Sequence, residues 1–508
     1  MADTVLGLIE AQDPDAPAIG DTAGRGLSYG DLAALAHGTG AALAAAGIGR
    51  GDRVAIVLPN GPAMAACFPA IAAFATTAPL NPAYKRDEFA FYLGDLDARA
   101  LIVAAGSDSP AVAEAEDRGI PILELTEDPG MPGDFSLAAR AGSAATAARP
   151  VAPAPAGPED VALILHTSGT TSRPKMVPLT HANVTASARH IAAALALTPA
   201  DRCLNVMPLF HIHGLIGAVL SSLAAGASIA CTPGFNALKF FTWLGEAKPS
   251  WYTAVPTMHQ ALLGRAARNA DAVAAAKLRL IRSSSASLPR PVLEELEATF
   301  GCPVIESYGM TEASHQMASN PLPPRARKPG SVGIAAGPEV AVMDEAGRIL
   351  PSGETGEIVI RGPNVTAGYV ANPDANAKAF TAGWFRTGDE GVIDGEGYLT
   401  LTGRLKEIIN RGGEKIAPKE VDDVLMDHPA VAQAVTFAVT HAALGEDVAA
   451  AVVAAEGAEP DPAELRRFCG ERLAAFKVPR EILVLPEIPK GATGKLQRIG
   501  LAKVLGLE

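Results

Sequence analysis

Cysteine is scarce in this sequence, with five residues in a chain of 508. The number is odd, and no two cysteines have the C-x-x-C spacing that is typical of zinc or redox sites. They lie at Cys67, Cys203, Cys231, Cys302 and Cys469. This pattern argues against a disulfide framework and a cysteine-based metal centre.

Long apolar runs and an excess of positive charge are also missing. Lysine and arginine number 42 against 55 acidic residues, and the net charge of −13 argues against general nucleic-acid binding, which needs clustered cations. No run of about 18 apolar residues stands out as a membrane span. Residues 1–10 do not read as a signal peptide, and the last residues do not form a peroxisomal tripeptide. We therefore expect a cytoplasmic location, with no nucleic acid and no membrane as partner, and the oligomeric state stays open.

The chain does contain 48% hydrophobic residues, 50 glycines and 40 prolines, which is typical of a globular protein of several domains with many turns. Ser28 and Asp31 form a variant capping box that starts a helix running to about Ala46. Further helices are predicted over residues 62–76, 84–96, 182–196, 214–225, 240–247, 256–268 and 289–300. Strands are predicted over residues 53–58, 100–104, 202–207, 227–231, 250–254, 277–283 and 304–307. This alternation predicts a parallel sheet covered by helices on both faces.

Changes in composition mark the boundaries between regions. Residues 128–158 are rich in proline, alanine and glycine and read as a surface linker. Between residues 330 and 402 short alternating strands with Gly, Asn and Asp turns predict a small β subdomain. We place a domain boundary at 403–406, because a compact α+β pattern of its own follows it.

A loop rich in small hydroxyl residues has the chemistry of a phosphate site. Thr167, Ser168, Thr170 and Thr171 surround Gly169, and Arg173 and Lys175 follow them. Backbone N–H groups, hydroxyls and two cations can surround a polyphosphate. A Walker A loop is excluded, because that motif needs a second glycine before the lysine and a helix after it. The apolar residues on both sides predict a hairpin with this loop at its tip, although an ordinary Ser/Thr/Gly turn is an alternative for the loop taken alone.

Four further stretches carry groups that suit nucleotide chemistry. Tyr308–Glu312 follows a predicted strand and offers an aromatic ring for the base, a hydroxyl for a phosphate oxygen and a carboxylate for Mg²⁺. Asp389 could accept both ribose hydroxyls, and Arg404 could reach the ribose or a phosphate. Lys495 lies on a glycine-flanked loop near the end of the sequence. Each stretch alone has an ordinary structural alternative, namely a turn or a solvent-facing side chain.

Taken in this order, the five stretches make the chain resemble the adenylate-forming superfamily of acyl-CoA synthetases, peptide-synthetase adenylation domains and luciferases. The resemblance covers essentially the whole chain, and five ordered motifs are highly specific. Ser172 and Met176 depart from the glycines that are common in that superfamily, but neither change removes a phosphate ligand. The resemblance implies an α/β fold with a large N-terminal domain, 1–403, built from two doubly wound α/β subdomains and a small β subdomain. A hinge at 404–406 and a small mobile α+β C-terminal domain, 407–508, would follow.

The resemblance also implies a two-step reaction with ATP, Mg²⁺ and coenzyme A. A substrate carboxylate attacks the α-phosphate of ATP and releases pyrophosphate, and a thiol then displaces AMP from the acyl-adenylate. By resemblance the catalytic residues are Lys495, Thr311, Glu312 and Lys175, and Thr170 and Glu312 hold the metal. The implied nucleotide contacts are Thr167, Ser168, Gly169, Thr170, Thr171, Lys175, Ala286, Glu306, Ser307, Tyr308, Thr311, Asp389, Arg404 and Lys495. Lys406 matches the hinge, and Gly412, Gly413 and Glu414 match part of the pantetheine tunnel.

The acid is suggested by hydrogen-bonding residues in the segments that line the carboxylate pocket. These residues are His211, His213, Ser285, Ser287 and His315. They suit a small, doubly charged acid, whereas a fatty acid would need apolar residues. The runs 282–288 and 308–322 are closely similar to the oxalate–CoA ligases, so oxalate is the expected substrate. The alternatives are a malonate or other short-acid CoA ligase, a loading domain for a carrier protein, and a non-catalytic nucleotide-binding protein.

Overall fold

A computed structural model describes residues 3–143, 151–167, 174–489 and 498–507. The chain divides into two compact units. The first contains residues 3–143, 151–167, 175–340 and 360–379, and the second contains residues 174, 341–359, 380–489 and 498–507. The predicted boundary at 403–406 and the hinge at 404–406 stay predictions.

The first part of the chain alternates strands and helices. Its strands are β1 (Pro17–Gly20), β2 (Gly26–Ser28), β3 (Arg53–Val57), β4 (Thr76–Pro79), β5 (Ala100–Ala104), β6 (Ile122–Glu127), β7 (Phe135–Ala139), β8 (Val161–Thr167), β9 (Lys175–Thr180), β10 (Arg202–Asn205), β11 (Ser228–Cys231), β12 (Trp251–Ala254), β13 (Leu280–Ser283), β14 (Val304–Met310), β15 (His315–Ser319) and β16 (Ile334–Ala335). Its helices are α1 (Val5–Glu10), α2 (Tyr29–Ala45), α3 (Pro62–Ala72), α4 (Arg86–Leu96), α5 (Pro110–Asp117), α6 (His181–Ala194), α7 (Ser221–Ala224), α8 (Phe240–Ala247), α9 (Pro256–Ala266), α10 (Ala270–Ala275), α11 (Arg290–Phe300) and α12 (Pro373–Ala379). A π-helix, His213–Leu220, precedes α7, and short 3-10 helices span Ala267–Asn269 and Thr311–Ala313.

One sheet of the first unit has the strand order β7-β6-β5-β3-β4-β8-β9. The pairs from β6 to β8 are parallel, and the two outer pairs are antiparallel. Its central strands β3 and β5 are almost wholly buried, because helices cover both faces of a parallel sheet. The predicted linker over 128–158 is wrong in part, since β7 pairs with β6 there. Phe135 is the buried residue of this edge strand, and its other residues are half-buried or exposed, so the strand lacks the apolar run of a central strand.

The other sheet of the first unit has the order β16-β15-β14-β13-β12-β10-β11-β1-β2. Strands β14, β13, β12, β10, β11 and β1 run parallel. The register places Asn205, Thr253 and Arg282 side by side on one face. Tyr252 and Ile281 point to the opposite face, where they pack against α8, α9 and α11. The π-helix packs against β10, β12 and β15, so the face that carries Thr253 and Arg282 lies beneath it.

The structure confirms the mixed α/β class and corrects several boundaries. The helix predicted to run to residue 76 ends at Ala72, and β4 begins at Thr76 because the next turn enters the sheet. The helix predicted over 214–225 begins as the π-helix. Tyr308 does not follow a strand but lies inside β14, which runs to Met310 because β15 pairs with it. The predicted hairpin is present: β8 and β9 are antiparallel, with Thr167 opposite Lys175, while residues 168–173 lie outside the described part.

The remaining strands and helices build two further sheets. The strands are β17 (Glu339–Met343), β18 (Thr355–Arg361), β19 (Phe380–Thr381), β20 (Trp384–Ile393), β21 (Leu399–Arg404), β22 (Ile409–Arg411), β23 (Glu414–Ile416), β24 (Val431–His441), β25 (Gly445–Ala454) and β26 (Glu481–Val484). The helices are α13 (Pro418–Met426), α14 (Pro462–Gly470), α15 (Leu501–Val504) and a 3-10 helix, Ala475–Lys477. One sheet has the order β17-β18-β20-β19 with β21 paired to β20, and the other has the order β23-β22-β25-β24 with β26 parallel to β25. The second sheet packs its apolar side on α13 and α14. No helix in the described residues is long and apolar enough to cross a membrane.

Candidate active site

The described stem of the predicted phosphate loop brings Lys175 to an aromatic ring. Lys175 begins β9, and its Nζ lies 4.1 Å from the centre of the Tyr369 ring, a distance at which a cation is attracted to the ring face. Thr167 ends β8 and is half-buried. The other predicted loop ligands, Ser168, Gly169, Thr170 and Thr171, lie outside the described residues, as does Lys495.

Tyr369 joins Lys175 to the predicted metal ligand. Its hydroxyl donates a hydrogen bond of 2.9 Å to Oε1 of Glu312, which is buried in the 3-10 helix Thr311–Ala313. Burial raises the pKa of Tyr369, and the neighbouring Glu312 carboxylate raises it further, so the phenol stays protonated and acts as the donor. Thr311, the predicted phosphate contact, begins the same turn. Tyr369 is not among the residues that the sequence analysis selected, because a tyrosine in an irregular segment carries no recognisable pattern.

Hydrogen bonds anchor the segment that presents Tyr369. The Thr366 N–H donates to the Glu312 carbonyl at 2.8 Å, and the Thr366 hydroxyl donates to the Pro178 carbonyl at 2.8 Å. The buried Asn364 amide donates to the carbonyls of Ala313 and Gln316 at 2.8 and 2.9 Å. Residues 363–370 therefore hold β9 and the turn after β14 in fixed relation, which positions Lys175 and Glu312 together.

The residues predicted to contact the nucleotide base lie at the carboxyl ends of β13 and β14. Glu306, Ser307 and Tyr308 are buried in β14, and the Ser284 hydroxyl donates to the Ser307 carbonyl at 3.0 Å. Ala286 lies exposed on the loop after β13. Ligands of parallel α/β sheets bind beyond these strand ends, so the placement suits a nucleotide.

Two buried histidines form the centre of the predicted acid pocket. The His213 ring is held at both nitrogens: Nδ1 lies 3.0 Å from the Ser285 hydroxyl, and Nε2 lies 2.6 Å from the Thr253 hydroxyl. The His315 ring packs edge-on against it, with ring centres 5.0 Å apart. Both histidines are 2% exposed. The structure thus brings together three of the five predicted acid contacts and adds Thr253.

The other two predicted acid contacts have different surroundings. His211 is half-buried and its ring lies 4.5 Å from the Phe210 ring, at the entrance to the π-helix. Ser287 is exposed on the loop after β13, and among the described residues it makes no hydrogen bond to His213 or His315.

The backbone around the histidine pair is unusual. Ser285, Ser314 and His315 have positive φ angles of 73°, 50° and 98°, a backbone region that residues other than glycine rarely adopt. Such strained conformations persist where surrounding contacts hold the backbone in place, and they cluster at functional sites. Gly217 of the π-helix leaves room for both rings, since an added Cβ would lie 2.9 Å from His315 Nε2 and 3.0 Å from His213 Cδ2.

Arg282 lies beneath this pair and was not predicted as a site residue. Its side chain is fully buried, and its Nη2 lies 3.1 Å from Gln316 Oε1 and 3.5 Å from His315 Nδ1. Gln316 in turn donates to the Ala336 carbonyl at 3.1 Å. The sequence signal for Arg282 was weak, because an arginine in a short strand normally reads as solvent-facing.

The second unit contains the remaining predicted contacts. Asp389 and Arg404 are opposite one another on β20 and β21 and form an ion pair of 3.1 Å, in which the carboxylate is buried and the guanidinium mostly exposed. Lys406 is exposed in the turn after β21. Gly412 and Gly413 have positive φ angles of 60° and 100° in the β22–β23 turn, where glycine is needed. Glu414 begins β23 and is exposed.

A magnesium ion fits these residues only together with phosphate. In the described part of the chain no group of three or more His, Cys, Asp or Glu side chains could hold a metal. Mg²⁺ is typically held by one or two carboxylates, with substrate phosphates and waters completing the octahedron. The buried Glu312 carboxylate, oriented by Tyr369, suits that arrangement. Bound Mg²⁺ would neutralise charge on the phosphates during transfer.

Known proteins are similar to this chain over nearly its full length. The family model of the AMP-binding enzymes matches residues 9–370, and that of the AMP-binding enzyme C-terminal domain matches residues 420–495. An oxalate–CoA ligase of Arabidopsis thaliana is 44% identical over 506 residues, which cover 98% of each chain. A sulfoacetate–CoA ligase of Cupriavidus necator is 37% identical over 98% of this chain and 97% of its own. The crystal structure of ATP-bound MatB from Rhodopseudomonas palustris is similar with a TM-score of 0.86, at 31% identity and 99% coverage of both chains.

Proposed function

The chain belongs to the AMP-binding enzyme family, and from this premise we propose that its acid substrate is oxalate. As an AMP-forming acid–CoA ligase, it uses ATP, Mg²⁺, coenzyme A and a small carboxylic acid. The proposed reaction converts oxalate, CoA and ATP to oxalyl-CoA, AMP and pyrophosphate through an oxalyl-adenylate. A cytoplasmic location is part of the proposal.

The His213–Ser285–Thr253 cluster with His315 is the observation that carries the oxalate assignment. Its side chains are all polar: the two ring nitrogens of His213 are held by the Ser285 and Thr253 hydroxyls, and the ring of His315 packs edge-on against His213. Oxalate has four oxygens on two carbons and no apolar part, so it needs donors on all sides and no hydrophobic tunnel. The named substrate of the Arabidopsis relative supports the same choice.

The remaining site residues receive proposed roles. Thr167 to Thr171 and Lys175 bind the triphosphate, and Glu312 with Thr170 holds Mg²⁺. Glu306 to Tyr308 and Ala286 surround the adenine, while Asp389 and Arg404 bind the ribose and a phosphate. Lys495 stabilises the charge that develops when the carboxylate oxygen attacks the α-phosphorus and the bond to pyrophosphate breaks. Gly412, Gly413 and Glu414 line the path of the pantetheine arm.

The two steps need different surroundings for the same acyl-adenylate. Pyrophosphate leaves in the first step, and the CoA thiol must reach the acyl carbon in the second. We assign residues 1–403 to the nucleotide and acid domain, 404–406 to a hinge at Lys406, and 407–508 to a mobile domain that carries Lys495. Rotation about such a hinge exchanges the groups around the intermediate.

A screen of acids by pyrophosphate release tests the substrate. Oxalate, malonate, sulfoacetate, acetate and octanoate are each supplied with ATP, Mg²⁺ and CoA, and kcat/KM is compared. Oxalate is expected to exceed the others. A higher kcat/KM for malonate or for a monocarboxylate contradicts the proposal.

Sulfoacetate is the second candidate, because the Cupriavidus relative is named for it and covers the same length of chain. Like oxalate it is a small dianion, so it satisfies the same hydrogen-bonding groups. A sulfonate is larger than a carboxylate, and the His213–His315 contact leaves less room for it. Competition between the two acids at equal concentration, read as the ratio of thioester products, separates the candidates.

A further inference from the structure

Arg282 is a buried cation without a carboxylate partner in the described part of the chain. It is 0% exposed on β13, and no ion pair to it is formed by any described residue. Its Nη2 binds the neutral amide of Gln316, while Nε and Nη1 have no hydrogen-bond partner among the described residues. The nearby Cys203 is no counter-ion, because burial raises the pKa of its thiol well above the ordinary value. The described part of the chain therefore leaves this positive charge uncompensated.

An unpaired charge in a protein interior is strongly unfavourable. Burial lowers the pKa of Arg282 to about 9, which still leaves the guanidinium charged at neutral pH. A hydrogen bond to an amide does not need a charged donor, so holding Gln316 alone does not explain an arginine here. An anion that arrives with the substrate would supply the missing charge.

Arg282 is placed to act on the acid pocket from below. Thr253 is its neighbour in register, and the Thr253 hydroxyl holds His213 Nε2 at 2.6 Å. Arg282 Nη2 lies 3.5 Å from His315 Nδ1. Because a guanidinium can only donate, this contact requires Nδ1 of His315 to accept, which places the ring proton on Nε2. Nε2 is the nitrogen that faces Gly217 and the neighbouring His213 ring.

We propose that Arg282 is a specificity-determining positioning residue of the acid pocket, an inference that rests on the proposed function. Its fixed charge and its contact with His315 favour a doubly charged small acid over a singly charged acid of the same shape. Oxamate is such an isostere of oxalate, since an amide replaces one carboxylate. The guanidinium acts through the field it adds to the pocket and through the His315 ring, and it does not take part in bond making.

The first test uses the wild-type enzyme and the ratio of kcat/KM for oxalate to that for oxamate. The ratio is expected to be about 100 or more, because a charge in a low-dielectric pocket discriminates strongly between a dianion and a monoanion. A ratio near one overturns the proposal, whatever happens to the variants.

The second test removes the charge. Arg282→Met is expected to lower the oxalate-to-oxamate ratio by about thirtyfold, chiefly through KM for oxalate, while oxamate turnover changes little. Arg282→Lys keeps the charge and is expected to retain most of the ratio, even where its shorter reach lowers turnover. Gln316→Leu is the matched control: it removes a neutral partner of the same guanidinium and is expected to leave the ratio within about threefold.

Thermal unfolding of each variant shows whether a change in kcat/KM comes from a loss of folded protein rather than from the loss of the Arg282 charge. The proposal is overturned if Arg282→Met lowers kcat/KM equally for oxalate and oxamate, so that their ratio is unchanged. If Arg282→Met does not fold, the wild-type ratio and the ratio retained by Arg282→Lys decide. Should the wild-type enzyme prefer malonate, the oxalate assignment fails, but malonate against its monoamide then tests Arg282 in the same way.

Discussion

At the scale of single residues, two serines on one loop have different roles. Ser285 and Ser287 both follow β13, but only Ser285 contacts a histidine, at 3.0 Å from His213 Nδ1. Ser285→Ala is expected to raise KM for oxalate about tenfold, because it removes the hydroxyl that lies within hydrogen-bonding distance of Nδ1 in a buried imidazole. Initial rates of pyrophosphate release at varied oxalate measure this.

Ser287→Ala serves as the matched control for that substitution. Ser287 is exposed two positions later, and its removal is expected to change KM by less than about twofold. Ser285→Ala adds no backbone strain, because at a φ of 73° alanine is as strained as serine. Equal effects of the two substitutions would show that the Ser285–His213 contact has no part in binding the acid.

Tyr369 gives a second prediction at this scale. Tyr369→Phe keeps the ring beside Lys175 and removes only the hydroxyl that donates to Glu312. Loss of a group that orients a metal ligand typically lowers metal affinity or activity, so we expect the adenylation rate at limiting Mg²⁺ to fall about tenfold. The rate is read from pyrophosphate release without CoA, across a Mg²⁺ titration.

Tyr29→Phe controls for the general loss of a buried phenol. The Tyr29 hydroxyl donates to the Ala227 carbonyl at 2.7 Å and lies 3.4 Å from the carbonyl of Leu223 in α7. Both variants are expected to lose about 1 kcal/mol of stability, but only Tyr369→Phe should slow adenylation. A similar Mg²⁺ dependence in the two variants would contradict the role given to Tyr369.

Sequence alone could identify a site residue when its type and its neighbours along the chain carried the signal. Ser285 and His315 lie in polar runs, His213 is one of two histidines in an otherwise apolar segment, and the structure brings the three together. Arg282 and Tyr369 were missed because their partners are distant in sequence. Their roles depend on strand register and on the anchoring of an irregular segment, and neither property is periodic.

At the scale of elements, the π-helix His213–Leu220 makes room for the acid pocket. Gly217→Ala would place a methyl group 2.9 Å from His315 Nε2, which is closer than a side chain can tolerate. We expect it to destabilise the protein by about 1–3 kcal/mol and to raise KM for oxalate, because both rings must shift. Gly245→Ala in α8 meets no atom within 4 Å and should be neutral or stabilising by about 0.5–1 kcal/mol. An unchanged KM in Gly217→Ala would refute this account of the pocket.

Regular elements were predictable where a local signal matched the tertiary surroundings. The capping box of Ser28 and Asp31 is present in full at the start of α2, and the apolar strands β3 and β5 are central and buried. Edge strands such as β7 were missed, since a strand paired on one side needs few apolar residues. The break between α3 and β4 was also missed, because Ala-rich sequence suits a helix as well as a buried connection.

The packing of α13 on β24 gives a pH-dependent prediction. Burial raises the pKa of Asp422 to about 6, although its neighbour Arg498 and the Thr436 N–H, at 2.5 Å, favour the carboxylate. An unfolded aspartate titrates near about 3.9. Between these values the native state binds more protons, so the stability from this group is present below about pH 4 and is lost as pH rises through about 6.

Asp422→Asn removes that titration. The unfolding free energy of the wild type minus that of the variant is expected to fall by about 2 kcal/mol between about pH 4 and pH 7. Urea unfolding followed by circular dichroism at several pH values measures the difference. A difference that stays constant across this range would show that Asp422 titrates at its unfolded value.

At the scale of the whole molecule, each unit has its own core, and the predicted hinge lies in the second unit. Lys406 is exposed in the turn between β21 and β22. Backbone hydrogen bonds flank it, from Leu405 N–H to the Gly388 carbonyl and from Glu407 N–H to the Arg404 carbonyl, whereas the Lys406 N–H makes no backbone hydrogen bond to a described residue. The local structure therefore tolerates a change of backbone conformation at Lys406.

Lys406→Pro tests whether the two steps need rotation here. Proline fixes φ near about −65° and restricts the preceding residue, but at this turn it removes no backbone hydrogen bond among the described residues. We expect oxalyl-adenylate formation in single-turnover assays to stay within about threefold, and transfer to CoA to fall about 100-fold, because only the second step needs the new orientation. Lys406→Ala removes the same side chain and leaves φ free, so it should retain both steps. If Lys406→Pro transferred the acyl group to CoA as fast as Lys406→Ala, the hinge would have to lie elsewhere in the chain.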